Sequence, residues 1–139
     1  MPTRILIVDD DEPLRRALSR TLRGNGYEVD EASDAREALG AIDRQAPDLI
    51  LTDIMMPGGD GVELINAIRG RAPRPGILAM SGRGSMGALD LLHLAEKLGA
   101  DLSLNKPFST DELLLAVSEL ETRAPFGSFE TRSVGGPRH

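Results

Sequence analysis

The stretch LILTDIMMPGGDG at residues 49–61 decides the fold more than any other part of this chain. Its first four residues are apolar or β-branched, and so short a run predicts a buried strand. Asp53 follows directly, and the Pro-Gly-rich end forces a loop before a helix through Leu64, Ile65 and Ile68. The stretch therefore predicts one βα unit with a carboxylate at the end of its strand.

The same unit occurs five times along the chain. The other predicted strands are residues 4–8, 27–32, 77–80 and 102–104. Each is followed by a helical pattern, with Ser33 predicted to cap the second helix and Ser109 or Thr110 the last. Five βα units with short connections predict an α/β fold, a doubly wound five-stranded parallel sheet with five helices.

Polar side chains end or closely follow four of these strands. They are Asp9 and Asp10 after the first strand, Asp53 after the third, Ser81 after the fourth and Lys106 after the fifth. Ligands of parallel α/β sheets bind outside the carboxyl ends of the strands. We therefore expect these five side chains to line one pocket.

The residue types in this pocket favour phosphoryl chemistry with a hard cation. Three adjacent carboxylates repel one another unless a cation lies between them. Mg²⁺ suits such a site because it prefers oxygen ligands and leaves positions for phosphate, whereas zinc favours Cys or His. The chain has no Cys, and neither His93 nor His139 is near a strand end. Lys106 and Ser81 suit the oxygens of a phosphoryl group, and Asp53 could be the nucleophile.

The chain resembles the receiver domains of two-component response regulators. The resemblance covers roughly residues 3–122 and is carried by the opening stretch together with ILIVDDD at 5–11, LAMSG at 78–82 and LNKPF at 104–108. Each motif is weak alone, but the set is specific. The resemblance implies a flavodoxin-like sheet with the strand order 2-1-3-4-5.

The resemblance also implies roles for the pocket residues. Asp53 would accept a phosphoryl group from a sensor histidine kinase or a histidine phosphotransfer protein, and Ser81 and Lys106 would contact its oxygens. Mg²⁺ would be bound by four residues: Asp9 through water, and Asp10, Asp53 and the backbone carbonyl of Met55 directly. The chain would then be a signalling switch or phosphate shuttle whose output is binding to a downstream protein. It would not be an enzyme beyond transfer to and hydrolysis from Asp53.

Two features depart from the family pattern. Many receivers carry Tyr or Phe three residues before the lysine, but this chain has Ser103 there, so the usual aromatic rotamer switch cannot operate as such. The loop 82–87 contains three glycines. We expect it to be mobile without phosphate and to become ordered when Ser81 engages the phosphoryl group.

Length and charge set the remaining expectations. The 139 residues favour one domain, over 1–122, followed by a tail at 123–139 that is disordered or lies loosely on the domain through Phe126 and Phe129. The net charge of −6 argues against direct nucleic-acid binding. No apolar run approaches the length of a membrane span, so membrane insertion is not expected and a cytoplasmic location is the default. No output domain follows, which favours a stand-alone receiver.

Two other functions remain open at this point. A degenerate receiver could bind partners without being phosphorylated. The absence of an aromatic residue at Ser103 is consistent with that alternative. A small aspartyl-phosphate phosphatase would use the same residue types, but the chain has no cap domain or insertion that could enclose a second substrate.

Overall fold

A five-stranded parallel sheet forms the centre of the molecule. The computed structural model describes residues 2–71, 73–82 and 88–126, excluding the side chains of residues 59 and 88–92. The strands are β1 (Arg4–Val8), β2 (Glu28–Ala32), β3 (Leu49–Asp53), β4 (Gly76–Ser81) and β5 (Leu102–Asn105). All neighbouring strands are parallel, in the order β2-β1-β3-β4-β5. The predicted fold class and strand order are confirmed.

Each strand is followed by an α-helix. The helices are α1 (Glu12–Gly24), α2 (Ala35–Arg44), α3 (Asp60–Arg69), α4 (Ala88–Leu98) and α5 (Thr110–Arg123). The Asp11 side chain caps α1 by accepting from the Leu14 N–H. Ser109 caps α5 in a capping box with Glu112, which decides between the two predicted caps.

The helices cover both faces of the sheet, and this explains the apolar strands. Ile7 of β1 belongs to a buried cluster with Leu22 of α1 and Val117 of α5. Its neighbour Leu6 faces the other way, into a cluster that includes Ile42 of α2. Successive strand residues point to opposite faces, so a strand buried on both sides must be apolar throughout.

The prediction that Ser33 caps α2 is wrong by one residue. The Asp34 carboxylate accepts the Glu37 N–H at 2.8 Å and is the N-cap. The Ser33 hydroxyl instead donates to the Glu37 carboxylate at 2.9 Å. Ser and Asp are both good caps, and sequence alone does not decide between adjacent candidates.

The predicted loop at residues 57–61 is shorter than expected. Pro57–Gly59 is a 3-10 turn, and α3 already begins at Asp60. Gly58 has a φ of 76°, a left-handed conformation that glycine adopts without strain. This tight turn lets the helix start directly behind the end of β3.

Chain beyond α5 packs on the domain as far as it is described. Phe126 is buried and lies over the Arg74 guanidinium, 5.2 Å from ring centroid to Cζ. Arg74 in turn forms a fully buried ion pair with Asp101, at 2.8 Å. Phe126 therefore lies against the domain, whereas the domain boundary after residue 122 and a disordered tail stay predictions. Phe129, the rest of the tail and residues 83–87 of the predicted mobile loop at 82–87 lie outside the described residues.

None of the helices in the described part of the chain combines the length and the apolar character needed to cross a membrane.

Candidate functional site

The carboxyl ends of the central strands bring the predicted residues to one edge of the sheet. Asp9 follows β1 directly, and its N–H donates to the Ala32 carbonyl at the end of β2. Asp53 and Ser81 are the last residues of β3 and β4. Lys106 follows β5, and its N–H donates to the Ser81 carbonyl at 2.7 Å. Strand register thus fixes the backbone at the site.

Lys106 joins two of the carboxylates. Its Nζ lies 2.9 Å from Asp9 Oδ2 and 3.0 Å from Asp53 Oδ2. Asp10 belongs to the same group, because one carboxylate oxygen from each of Asp9, Asp10 and Asp53 lies within 4.8 Å of the others. The structure therefore brings four of the predicted residues together.

Burial and hydrogen bonding together set the protonation of this cluster. Asp9 is fully buried, and this burial raises the pKa of its carboxyl, although hydrogen bonds from Lys106 and the Asp11 N–H oppose the rise. For Lys106, burial lowers the pKa, but hydrogen bonds to Asp9 and Asp53 outweigh that effect and raise it above the usual range. The lysine is therefore held as a cation between two acids.

Asp10 and Met55 lie at the open side of the cluster. Asp10 is exposed, in contrast to its buried neighbours in the group. Met55 is 49% exposed, and its N–H donates to Asp53 Oδ1 at 2.8 Å. Asp53 thus has one oxygen held by a backbone donor and the other by Lys106.

Ser81 lies at the same strand edge with a different partner. Its hydroxyl donates to Asn105 Oδ1 at 3.1 Å, and the residue is only 4% exposed. Sequence alone provides no reason to select Asn105, because an amide at a strand end is common. Its pairing with Ser81 depends on the β4–β5 register, which sequence patterns do not specify.

Gly61 is a second residue that sequence reasoning missed. A Cβ atom on Gly61 would collide with the Asp53 carbonyl oxygen and the Ile54 Cα. The first turn of α3 therefore packs directly on the backbone of Asp53. The run 57–61 contains this glycine, but sequence alone accounts for it as a turn former.

The donor set fits a hard divalent cation. All three side-chain candidates are carboxylates, and within the described residues this group has neither His nor Cys. A fully buried acid with a raised pKa would also be stabilised as an anion by a second positive charge. Lys106 alone neutralises one of the three charges.

A parallel α/β sheet with an acidic cluster and a lysine at its carboxyl edge is the architecture of receiver domains. The family model described as the response regulator receiver domain matches residues 5–118. The chain belongs to this family, as its motifs predicted.

Curated relatives and solved structures support the assignment to the receiver family. Response regulator MprA of Mycolicibacterium vanbaalenii is 41% identical over 127 residues, covering 88% of this chain and 52% of the relative. The chain thus spans about half the length of the curated relatives it matches. Chemotaxis response regulator CheY4 of Vibrio cholerae has a TM-score of 0.75 at 30% identity, covering 86% of this chain and 99% of that one. The receiver domain of Francisella response regulator 1452 has the same score and identity, with coverages of 87% and 98%.

Proposed function

We propose that this receiver domain is a phosphorylation-dependent signalling switch whose acceptor is Asp53. The phosphoryl group would come from a sensor histidine kinase or a histidine phosphotransfer protein, in the cytoplasm. The observation that supports this best is the position of Lys106 Nζ, within 3.0 Å of both Asp9 and Asp53 in a group of three carboxylates. A structural ion pair would need only one of these acids.

The chain itself supplies the nucleophile and the hydrogen-bond donors for phosphoryl transfer. An Asp53 carboxylate oxygen forms a bond to phosphorus while the P–N bond of the donor's phosphohistidine breaks, and the electron pair stays on the imidazole nitrogen. The Met55 N–H holds Asp53 Oδ1 and thereby orients the carboxylate. The Lys106 ammonium is close enough to donate to a phosphoryl oxygen. We assign Ser81 the same task, after its hydroxyl leaves Asn105.

We further propose that Mg²⁺ is held by Asp9, Asp10, Asp53 and the Met55 backbone carbonyl. Bound there, the ion would neutralise charge on the carboxylates and on the phosphoryl oxygens. The mixture of buried and exposed acids supports this assignment, since Mg²⁺ keeps several waters and needs a solvent-facing side.

The test is phosphorylation by acetyl phosphate with Mg²⁺, read as intact mass. We expect one added phosphoryl group on the native chain and on Asp43→Asn, whose carboxylate is 73% exposed and outside the site. Asp53→Asn should remain unmodified, and chelator should prevent the addition. Equal modification of Asp53→Asn would contradict the assignment.

We propose that the output is binding to a downstream protein through the side of the sheet near Ser103. Ser103 lies on β5 opposite Ala79 of β4, and its hydroxyl side chain cannot repeat an aromatic rotamer change. Partner binding that survives Asp53→Asn and ignores Mg²⁺ would instead favour a receiver that acts without phosphorylation. Turnover of an added phosphoester would favour the phosphatase.

A further inference from the structure

A cavity of about 310 Å³ lies between α1 and the edge strand β2. Its lining residues are Arg16, Ser19, Arg20, Arg23 and Glu31, none of which belongs to the carboxylate site. Three arginines and one glutamate give this lining a formal charge of +2, although the chain as a whole carries −6. The cavity is therefore a local cationic site on an acidic protein.

Ser19 in this lining is a buried polar group without a partner. The residue is 2% exposed, and its Oγ makes no hydrogen bond within the described part of the chain. Leaving such a hydroxyl unsatisfied is unfavourable, because it has lost its hydrogen bonds to water and gained none in the protein. Arg16 and Arg23 lie three residues before and four residues after Ser19, so all three share one stripe of α1. A ligand between these arginines would offer the hydroxyl a partner.

The arginines are available to a ligand. Arg20 has no hydrogen-bond or ion-pair partner among the described residues. Arg16 pairs with Glu12, but both side chains are more than half exposed, and exposed pairs of this kind are weak. Arg23 uses Nη2 to donate to the Val29 carbonyl, which leaves other guanidinium donors.

We propose that this cavity binds the phosphate group of a phosphate monoester or diphosphate. Guanidinium groups match phosphate oxygens in pairs, and the tetrahedral group has enough oxygens for several arginines and one hydroxyl. Glu31 faces the same cavity and is held by Arg15 through Oε1, at 2.9 Å. Its second oxygen would accept from a hydroxyl or amine elsewhere on the ligand.

The test is a titration followed by backbone amide NMR, with chelator present so that the carboxylate site does not bind phosphate through a metal. The probes are inorganic phosphate, pyrophosphate and a short phosphoserine peptide. We expect saturable shifts centred on residues 16–23 and on Glu31. Tighter binding of pyrophosphate would identify a small molecule as the source, and tighter binding of the peptide would identify a phosphorylated protein.

Variants separate this site from general charge attraction. Arg20→Ala should weaken binding roughly tenfold, the loss expected for one charge-assisted hydrogen bond. Arg36→Ala removes an exposed arginine from α2, outside the cavity, and should leave binding unchanged. Equal weakening by both variants, or shifts that rise linearly without saturation, would overturn the proposal.

Ser19→Ala supplies a readout that a purely structural serine would not give. Removing the orphan hydroxyl should raise the melting temperature of the ligand-free protein, because it removes a buried unsatisfied group and places Ala in a helix. The same variant should bind phosphate several-fold more weakly. Unchanged phosphate affinity in Ser19→Ala would remove Ser19 from the site and contradict the inference.

Discussion

Asp9 is the residue whose ionisation the fold opposes most directly. It is fully buried, and Lys106 and the Asp11 N–H only partly compensate for its lost hydration. Lys106 also forms an ion pair with Asp53, so removing the charge at Asp9 leaves the lysine paired. The fold therefore destabilises the charged form of Asp9, as is common at functional sites.

Replacing Asp9 by Asn should stabilise the metal-free protein by roughly 1 kcal/mol at neutral pH. The raised pKa of Asp9 means that its favourable contribution is present below its ordinary value of 3.8 and is lost as the pH rises through the folded-state pKa. The advantage of the variant should therefore be smallest in acid and grow as the pH rises through the folded-state pKa. Thermal unfolding with chelator measures this.

Adding Mg²⁺ in the same experiment supplies the control. The native protein should gain stability from the ion and Asp9→Asn should gain little, because one of the three carboxylates is gone. A variant that is less stable than the native protein at every pH, with or without the ion, would contradict this account of Asp9.

Tyr27 provides an independent test of burial at the residue scale. Burial, followed by a hydrogen bond to Glu121 at 2.9 Å, raises the pKa of its phenol to about 12. Tyr27 is the only tyrosine and the chain has no tryptophan, so tyrosinate absorbance reports this residue alone. The stability it contributes is present below its ordinary pKa of 10.0 and is lost as the pH rises through about 12.

We expect Glu121→Gln to lower the pKa of Tyr27 part of the way toward its ordinary value, because the charge is removed while the burial remains. Alkaline titration by absorbance, with circular dichroism to verify folding, measures the change. An ordinary pKa in the folded native protein would show that the phenol is not buried against Glu121.

At the scale of elements, α3 packs on the end of β3 through a position that has no side chain. A Cβ on Gly61 would overlap the backbone of Asp53 and Ile54, whereas one on Gly70 at the other end of α3 would meet nothing within 4 Å. The two glycines form a matched pair for testing how closely the helix must approach the acceptor strand.

We expect Gly61→Ala to cost roughly 2 kcal/mol of stability and to slow phosphorylation, since the helix or the Asp53 backbone must move. Gly70→Ala should change neither property by much. Chemical denaturation and the rate of acetyl phosphate labelling measure the two effects. Equal effects of the two substitutions would show that the close approach is unimportant.

Elements also show what sequence could and could not predict. The strands were predictable because burial on both faces requires continuous apolar runs, and the sheet edge then fixed where Asp53 and Lys106 meet. The Asp34 cap was not predictable, since it depends on which of two adjacent side chains reaches the Glu37 N–H. The roles of Gly61 and Asn105 were not predictable, because they depend on contacts between different elements of the fold.

At the scale of the whole molecule, the segment after α5 closes the sheet at the edge opposite the acidic cluster. Phe126 is buried against Arg74, and a Cβ on Gly76 would lie only 2.5 Å from its ring. Arg74 and Asp101 precede β4 and β5, so this contact holds the starts of the strands whose other ends carry Ser81 and Lys106. No local sequence pattern predicts such a long-range contact.

Phe126→Ala should destabilise the protein by about 3 kcal/mol, because it removes a buried ring and leaves a cavity beside the buried ion pair. Leu115→Ala is the control, since Leu115 is 71% exposed and its removal should change stability by less than about 0.5 kcal/mol. Urea unfolding of both variants measures the difference. Similar stabilities would mean that the segment after α5 contributes nothing to the fold.

The most direct test of the central claim is to locate the phosphoryl group. After reaction with acetyl phosphate and Mg²⁺, borohydride reduces an acyl phosphate to an alcohol, so a modified aspartate is read as homoserine in peptide mass spectra. We predict homoserine at position 53 and at neither position 9 nor position 10. Homoserine at another aspartate, or none in a sample that gained a phosphoryl group, would contradict the assignment of Asp53 as acceptor.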